Sequence, residues 1–532
     1  MIYKSKFLVF FFFITLILSC NTKKTSEEIT HTASSLNIHE EITIDEIHRA
    51  YNNGDYTIVE LTQFYLDRIN AIDKSGSNLN AILTVNPDAL KIAEQLDDEL
   101  QNKKIRGPLH GIPVILKDNI DTADKMPCTA GSIIMKDSYP LKDSPLAAQL
   151  RAAGAIILGK ANLSEWANFH SSYSSSGWSG LGGQTNNPYD LTRNPCGSSA
   201  GSAVAVAANL CVLAIGTETN GSIVCPANNN GIVGIKPTVG LISRTGIVPI
   251  SFTQDSAGPM ARTVKDAAIC LGVLTATDRA DTKTIVSDRI AYKDYTQFLK
   301  TGTLKGKRIG YFKSPLGNHK RMTKVMEEAV SYFKEQGAII IEIDKILDDE
   351  AGDNSFEVLL YEFKDGLNKY LKGLGENAPV KDLQDLIDKT FTDSIEMKYF
   401  DHELLKLAQS KGNLNDETYK NALNTMLKSS RDYGIDKVMN ENNLDAIISP
   451  TGGPAWKSDL TNGDNFSIES SSPSAIAGYP IINVPMGHID GLPVGLSIFG
   501  RAWSEPVLLE IAYNYEQGTK HRKTPKYLSG YQ

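Results

Sequence analysis

The stretch Gly216-Thr-Glu-Thr-Asn-Gly-Ser222-Ile-Val-Cys-Pro226 follows an apolar run, Leu210-Cys-Val-Leu-Ala-Ile215. The run has the length and composition of a buried strand. Where it ends, small and polar residues take over, and a serine stands directly behind a glycine. Glycine has no Cβ, so a loop of this kind lets consecutive backbone N–H groups face a ligand. A hydroxyl beside bare amides has the parts of a nucleophile next to an oxyanion hole. The same residues also make an ordinary polar turn between two buried elements, and the rest of the chain has to decide.

Outward from this stretch, Ile112 to Leu116 reads as a second buried strand, with Lys117 at its carboxyl end, and Ala152 to Leu158 as a third. Ala200 to Asn209 reads as a helix of small residues. Ser171 to Gly201 is rich in Gly, Ser and Asn and reads as a long loop without an element of its own; such loops inside compact domains are often functional. Strands alternating with helices predict an α/β sheet, whose sites gather at the carboxyl ends of strands. Towards the N-terminus, Thr43-Ile-Asp-Glu46 and Thr57-Ile-Val-Glu60 fit capping boxes. Asn80 to Leu100 reads as helical, with Pro87 at an early helix position. Further on, Arg308 to Tyr311 and Ala338 to Ile343 read as strands. Residues 349–440 form a charged, helical insertion without a chemical motif, in which Met397 to Gln409 reads as one helix. Strands return at Asp445 to Ser449, Ile481 to Val484 and Pro493 to Phe499. No repeat and no linker divides the chain, so one large domain over residues 41–525 is expected.

The 532 residues are 41% hydrophobic and 22% charged with a net charge of −8, the balance of a folded globular protein. No Lys/Arg-rich cluster offers a nucleic-acid footprint, so no nucleic-acid partner is expected. Residues 1–20 read as an export signal. Lys4 and Lys6 precede the apolar run Phe7 to Leu18, which is shorter than the about 20 residues a spanning helix needs. The signal ends in Ile17-Leu18-Ser19-Cys20, which resembles a bacterial lipobox and implies lipidation of Cys20. Residues 21–40 are polar and read as a flexible tether. The expected location is the cell envelope, with the protein held at a membrane by its lipid. An ordinary secretory signal with an incidental cysteine is the alternative. The other five of the six cysteines form no CxxC and cannot all pair, so no disulfide framework and no zinc site is inferred; the nine histidines show no HxH, HxxxH or HExxH spacing.

Two local motifs mislead. Gly154-Ala-Ile-Ile-Leu-Gly159-Lys160-Ala161 approaches a phosphate-binding loop but lacks the Ser/Thr after the lysine, and it is apolar where a loop must wrap phosphate. Gly197-Ser-Ser199-Ala-Gly201 matches the G-x-S-x-G nucleophile elbow. That elbow needs a strand leading into it and a downstream histidine; here the lead-in Pro188 to Cys196 reads as coil, and His488 and His521 stand in no recognisable motif.

A third constellation is carried by resemblance. Gly183-Gln-Thr-Asn-Asn-Pro-Tyr-Asp-Leu-Thr-Arg-Asn-Pro-Cys-Gly-Ser198-Ser-Ala-Gly-Ser202 is similar to the Gly/Ser-rich signature of the amidase signature family. So are Gly216 to Pro226, Gly231 to Gly240, Gln254 to Thr263, His110 to Asn119, Ser449-Pro450, and Ala477 through Gly500. The resemblance spans roughly His39 to Arg501 and is weakest in the insertion. It implies a mixed central β-sheet covered by helices, and a Ser–cis-Ser–Lys triad: Ser222 as nucleophile, Ser198 as bridge after a cis Gly197–Ser198 peptide, and Lys117 as the ultimate base. Backbone N–H groups of Thr219, Asn220, Gly221 and Ser222 would hold the oxyanion, with Ser199 and Glu218 in support. The implied reaction is hydrolysis of a linear carboxamide through an acyl-enzyme, with no metal and no cofactor.

The residue chemistry agrees with these roles. Serine is a poor nucleophile until a base takes its proton. Burial can lower a lysine pKa by up to about 3–5 units, which would leave Lys117 able to accept one. Glu218, Asn220-Gly-Ser-Ile-Val224, Cys196 and Ala200 depart from the common pattern and resemble the branch of bacterial peptide amidases, which cleave C-terminal peptide amides. Cys225, close behind Ser222, reads as packing and Glu218 as a loop-holding acceptor. Aryl, fatty or N-acyl amides are the alternative substrates, and a lipid-anchored binding protein without catalysis is the alternative of another class.

Overall fold

The two predicted capping boxes open the fold. In this computed structural model, which describes residues 38–348 and 350–530, helix Ile44–Asn53 starts at Thr43 and helix Ile58–Arg68 at Thr57. Each threonine hydroxyl accepts from the amide of the glutamate three residues on, and each glutamate reaches back to the threonine amide. Two of the orphan donors at each helix start are thereby satisfied. The export signal, most of the tether and Cys20 lie outside the described residues.

Asn80 to Leu100 is not one helix. Ile82–Val85 is a strand (β1), and the helix begins only at Ala89, after an Asp88 cap, so that Pro87 precedes it. The buried Asp73 carboxylate accepts from the amides of Ala81 and Ile82 at 2.6 and 3.2 Å. Those bonds fix the chain extended where it meets its partner strand, Ile82 opposite Ala161. A tertiary contact has overridden local periodicity.

The remaining strands are β2 (Pro113–Lys117), β3 (Ile156–Ala161), β4 (Trp178–Ser179), β5 (Gly183–Gln184), β6 (Leu213–Glu218), β7 (Val233–Lys236), β8 (Ser256–Ala261), β9 (Arg308–Phe312), β10 (Ile339–Ile343), β11 (Ala446–Pro450), β12 (Ile481–Ile489) and β13 (Leu492–Phe499). Eleven of the thirteen strands form one mixed sheet in the order β1-β3-β2-β6-β8-β7-β12-β13-β11-β9-β10. β4 and β5 pair as a small hairpin inside the loop that the sequence left without an element. From His39 onward the chain is one compact unit. The near-match to a phosphate loop is β3, with Lys160 buried and its Nζ donating to the Ile120 carbonyl at 2.6 Å. No helix among the described residues is long and apolar enough to cross a membrane.

Two features position the site. Helix Ala200–Ala207 lies against the sheet so closely that a Cβ on Gly201 would stand 2.2 Å from the Ala81 carbonyl oxygen. Between β10 and β11 the chain is helical: Glu350–Gly373, Leu383–Thr390, Glu403–Gln409, Glu417–Leu427 and Asp436–Asn442. Met397 to Gln409 is shorter as a helix than expected, because His402 takes a left-handed φ of 49° just before Glu403. This helical stretch packs Leu360, Phe363, Leu367, Leu404 and Leu405 onto Trp166, Phe169, Val248 and Ile250 of the main body. Each such buried side chain contributes about 1.5–3 kcal/mol of hydrophobic stabilisation.

Candidate active site

β2 and β6 are parallel neighbours in register, Leu116 opposite Ile215, so their carboxyl ends emerge together. Lys117 closes β2 and is fully buried. Its Nζ stands 2.7 Å from Ser198 Oγ, 2.9 Å from Thr217 Oγ1 and 3.2 Å from the Thr217 carbonyl oxygen. Lys160 and Lys236 are buried too, but their amines contact backbone carbonyls only. Lys117 alone of the three meets a serine hydroxyl. Burial lowers its pKa from 10.5 to about 7, against a smaller opposing pull from Asp255 and Glu218. A neutral amine keeps two donors and one lone pair. The two donors suffice for Thr217, and the lone pair then accepts from the Ser198 hydroxyl along the shortest contact.

Ser198 follows a cis Gly197–Ser198 peptide. Its loop is tied to the Gly216–Pro226 loop by the Ser199 amide, which donates to the Ser222 carbonyl at 3.1 Å. Ser198 and Ser222 both line a cavity of about 430 Å³, with Thr219, Asn220 and Gly221. No hydrogen bond joins the two hydroxyls in this structure; bonds of this kind commonly tighten only when substrate is bound. Among the described residues no hydrogen bond engages the backbone amides of Thr219, Asn220, Gly221 or Ser222. Gly221 holds a φ of 81°, a left-handed turn that glycine adopts without penalty. Glu218, fully buried, accepts from the amides of Ile223 and Val224 at 2.7 and 3.0 Å and so fixes the chain just beyond Ser222, the loop-holding role expected of it.

The inference of no disulfide was wrong. Cys196 and Cys225 are bonded, and Cys225 is therefore not simple packing. The pairing was hidden because Cys196, on a loop, and Cys225, in the short helix Val224–Asn229, are 29 residues apart in sequence and meet only in the folded chain. It links the residue before Gly197–Ser198 to the segment just after Ser222.

Ser199 does not fit the elbow reading. It is fully buried, and its hydroxyl donates to the Thr217 carbonyl at 2.9 Å while accepting from the Thr217 amide at 3.1 Å. It braces the strand that carries Lys117's other partner. His488 and His521 do not line the cavity. Sequence reasoning missed Thr217, Asn119, Asp255 and Ser471. Asn119 donates to Thr217 Oγ1 at 2.9 Å. Asp255, buried and raised to about 6 by desolvation, accepts from Thr219 Oγ1 at 2.6 Å. Ser471 donates to Asn220 Oδ1 at 2.7 Å. Thr217, Asn119 and Asp255 lie within quoted motifs and Ser471 outside them, but isolated polar residues carry no periodicity that would mark them. A neighbouring cavity of about 520 Å³ shares Ala167, Thr219 and Ile250 but includes neither Ser198 nor Ser222.

Residues 60–509 match the family profile described as Amidase. The chain is 46% identical to the native peptide amidase of Stenotrophomonas maltophilia, with a TM-score of 0.88, over 92% of this chain and 99% of that one. A peptide amidase in complex with the competitive inhibitor chymostatin is similar at 47% identity and a TM-score of 0.89, with the same coverage. A probable amidase of Arabidopsis thaliana is 42% identical over 502 residues, 92% of each chain. The matched span and these likenesses over nearly the whole length show the family: this chain belongs to the amidase signature family, in its peptide amidase branch.

Proposed function

We propose that this amidase removes ammonia from the C-terminal carboxamide of peptides, with Ser222 as nucleophile, Ser198 as proton bridge and Lys117 as base. The observation that carries the reading is the 2.7 Å contact of a buried, pKa-lowered Lys117 with Ser198, at a cavity that also holds Ser222. Ser222 Oγ attacks the amide carbonyl and its proton passes to Ser198 Oγ as Ser198's own proton passes to Lys117 Nζ. The amides of Thr219, Asn220, Gly221 and Ser222 receive the oxyanion, which supplies several kcal/mol of transition-state stabilisation in such sites. The tetrahedral intermediate collapses, the C–N bond breaks, and the lysine proton returns through Ser198 to the departing nitrogen. Water then enters by the same relay, cleaves the Ser222 ester and releases the acid.

Support for a peptide substrate is the 46–47% identity to peptide amidases over nearly the whole length and a cavity walled by Phe169, Ile250, Leu359, Phe466 and Ile468, suited to a side chain next to the amide. Ammonia release is measured on amidated peptides, fatty amides and aryl amides. Turnover confined to fatty or aryl amides overturns the peptide assignment; loss of all turnover in Ser222→Ala is expected.

We infer further that the enzyme is exported and held to a membrane by lipid on Cys20. The support is Ile17-Leu18-Ser19-Cys20 behind its apolar run, joined by the Cys196–Cys225 bond, since disulfides persist in oxidising compartments. Fatty-acid labelling that survives Cys20→Ala would refute it.

A further inference from the structure

A second cluster of buried, chemically capable side chains lies beside the cavity wall and takes no part in the triad. Glu165 and His170 flank a tight loop in which Trp166, Ala167 and Asn168 are all left-handed, with φ of 50°, 53° and 73°. Ala167, Asn168 and Phe169 of that loop line the cavity. His402 comes from the helical insertion, 232 residues away from His170, and the two Nδ1 atoms stand 3.3 Å apart. All three residues are buried, and one ligand atom from each lies within 4.8 Å of the others. Local spacing could not have shown this set.

Hydrogen bonds satisfy the cluster only in part, the Nδ1–Nδ1 contact of the two histidines being one of them. His402 Nε2 donates to the Glu396 carbonyl at 3.0 Å, so in the neutral ring its Nδ1 is a lone pair aimed at His170. His170 Nε2, Glu165 Oε1 and Glu396 Oε2 are buried without partners. A buried unpaired group of this kind costs about 1–3 kcal/mol. Glu165 Oε2 accepts from the Gly180 amide at 2.5 Å, and Glu396 Oε1 from Ser132 Oγ and the Ile133 amide at 2.6 and 2.8 Å. No lysine or arginine among the described residues forms an ion pair with either glutamate. The two carboxyl groups are close: a Cβ on Gly180 would meet Glu396 Oε2 at 2.6 Å and Glu165 Oε2 at 3.0 Å.

We propose that Glu165, His170 and His402, with Glu396 beside them, bind a divalent transition-metal ion, Zn²⁺ by the chemistry of the donors. Two nitrogens about 2.05 Å from a tetrahedral ion stand about 3.3 Å apart, which is the spacing of the two Nδ1 atoms. The carboxylate of Glu165, whose ligand atom lies within 4.8 Å of those of the two histidines, moves inward on metal binding to complete three ligands. Glu396 or a water takes the fourth position. Two imidazole nitrogens with a carboxylate oxygen are a donor set suited to Zn²⁺ rather than to Ca²⁺ or Mg²⁺. The ion is structural, since neither Ser198 nor Ser222 is among its neighbours. It fastens the insertion to the loop that forms one wall of the substrate cavity.

The test uses full-length protein without a histidine tag. After Zn²⁺ loading and exhaustive dialysis, elemental analysis of the wild type is expected to find stoichiometric zinc, and a His170→Gln/His402→Gln double variant is expected to retain none. Loading with Co²⁺ gives a second readout that needs no variant: a tetrahedral N/O set produces strong visible d–d absorption, which added Zn²⁺ displaces. Zinc retained equally by wild type and variant, or Co²⁺ that stays spectrally octahedral and dialyses away, overturns the proposal. If the variant does not fold, the Co²⁺ spectrum of the wild type decides alone.

Discussion

Replacing Lys117 with methionine should make the protein more stable while abolishing its activity. The chain binds a proton at Lys117 below pH 10.5 when unfolded, but only below about 7 when native. Native stability therefore falls as pH drops through this window, and the deficit is complete below about 7. The full difference corresponds to about 5 kcal/mol, of which about 4 remains at pH 7 and about 2 at pH 9. Lys117→Met fills the same buried space without a charge and removes this term. It also leaves Ser198 and Thr217 without a partner, at a cost of about 1–3 kcal/mol. The variant should gain roughly 2 kcal/mol at pH 7 and about nothing at pH 9. Urea denaturation of both proteins at the two pH values measures the gap, and amide hydrolysis should fall by about 10²–10⁴ at both. A stability gap that is the same at pH 7 and pH 9 would show that the Lys117 pKa is not depressed, and the base assignment would fail with it.

Other consequences follow from the same geometry. With Lys117 as the proposed base, whose neutral amine would be the active form, kcat/KM on an amidated peptide should fall tenfold per pH unit below about 7 and level off above it; a flat profile between pH 5 and 8 would remove Lys117 from the rate-determining proton transfer. Ser198→Ala should lower kcat by about 10²–10⁴ with little change in KM, since the bridge moves a proton and does not hold the peptide; a change confined to KM contradicts the relay. Breaking Cys196–Cys225, by reductant or by Cys225→Ala, releases a loop of 29 residues in sequence separation. A chain-entropy loss of about 3–4 kcal/mol in denaturation free energy is expected, along with reduced activity as the Ser198 and Ser222 loops come apart; unchanged stability under reductant refutes this role.

Much of the site was legible because strands announce their ends. The apolar runs before Lys117 and before Gly216 marked two buried strands, and parallel pairing of those strands is what sets the lysine beside the loop that carries Ser222. The serines themselves could be assigned only by resemblance, since a Gly-Ser pair in a loop has no periodic signature. What stayed hidden was whatever depends on distant segments meeting: the Cys196–Cys225 bond, the Asp255 carboxylate under Thr219, and His170 facing His402. The strand Ile82–Val85 was missed for a related reason. It is an edge strand whose burial fades along its length rather than alternating, and its conformation is fixed by the Asp73 carboxylate and not by its own pattern.

The central claim is that Ser222 is acylated by way of Ser198 and Lys117. A serine-directed fluorophosphonate probe, followed by peptide mapping of the wild type and of Ser222→Ala, Ser198→Ala and Lys117→Met, tests it most directly. The label is predicted on the peptide containing Ser222, absent in Ser222→Ala and much slower to form in the other two. A label found on Ser199 or another residue, or one that persists in Ser222→Ala, would contradict it.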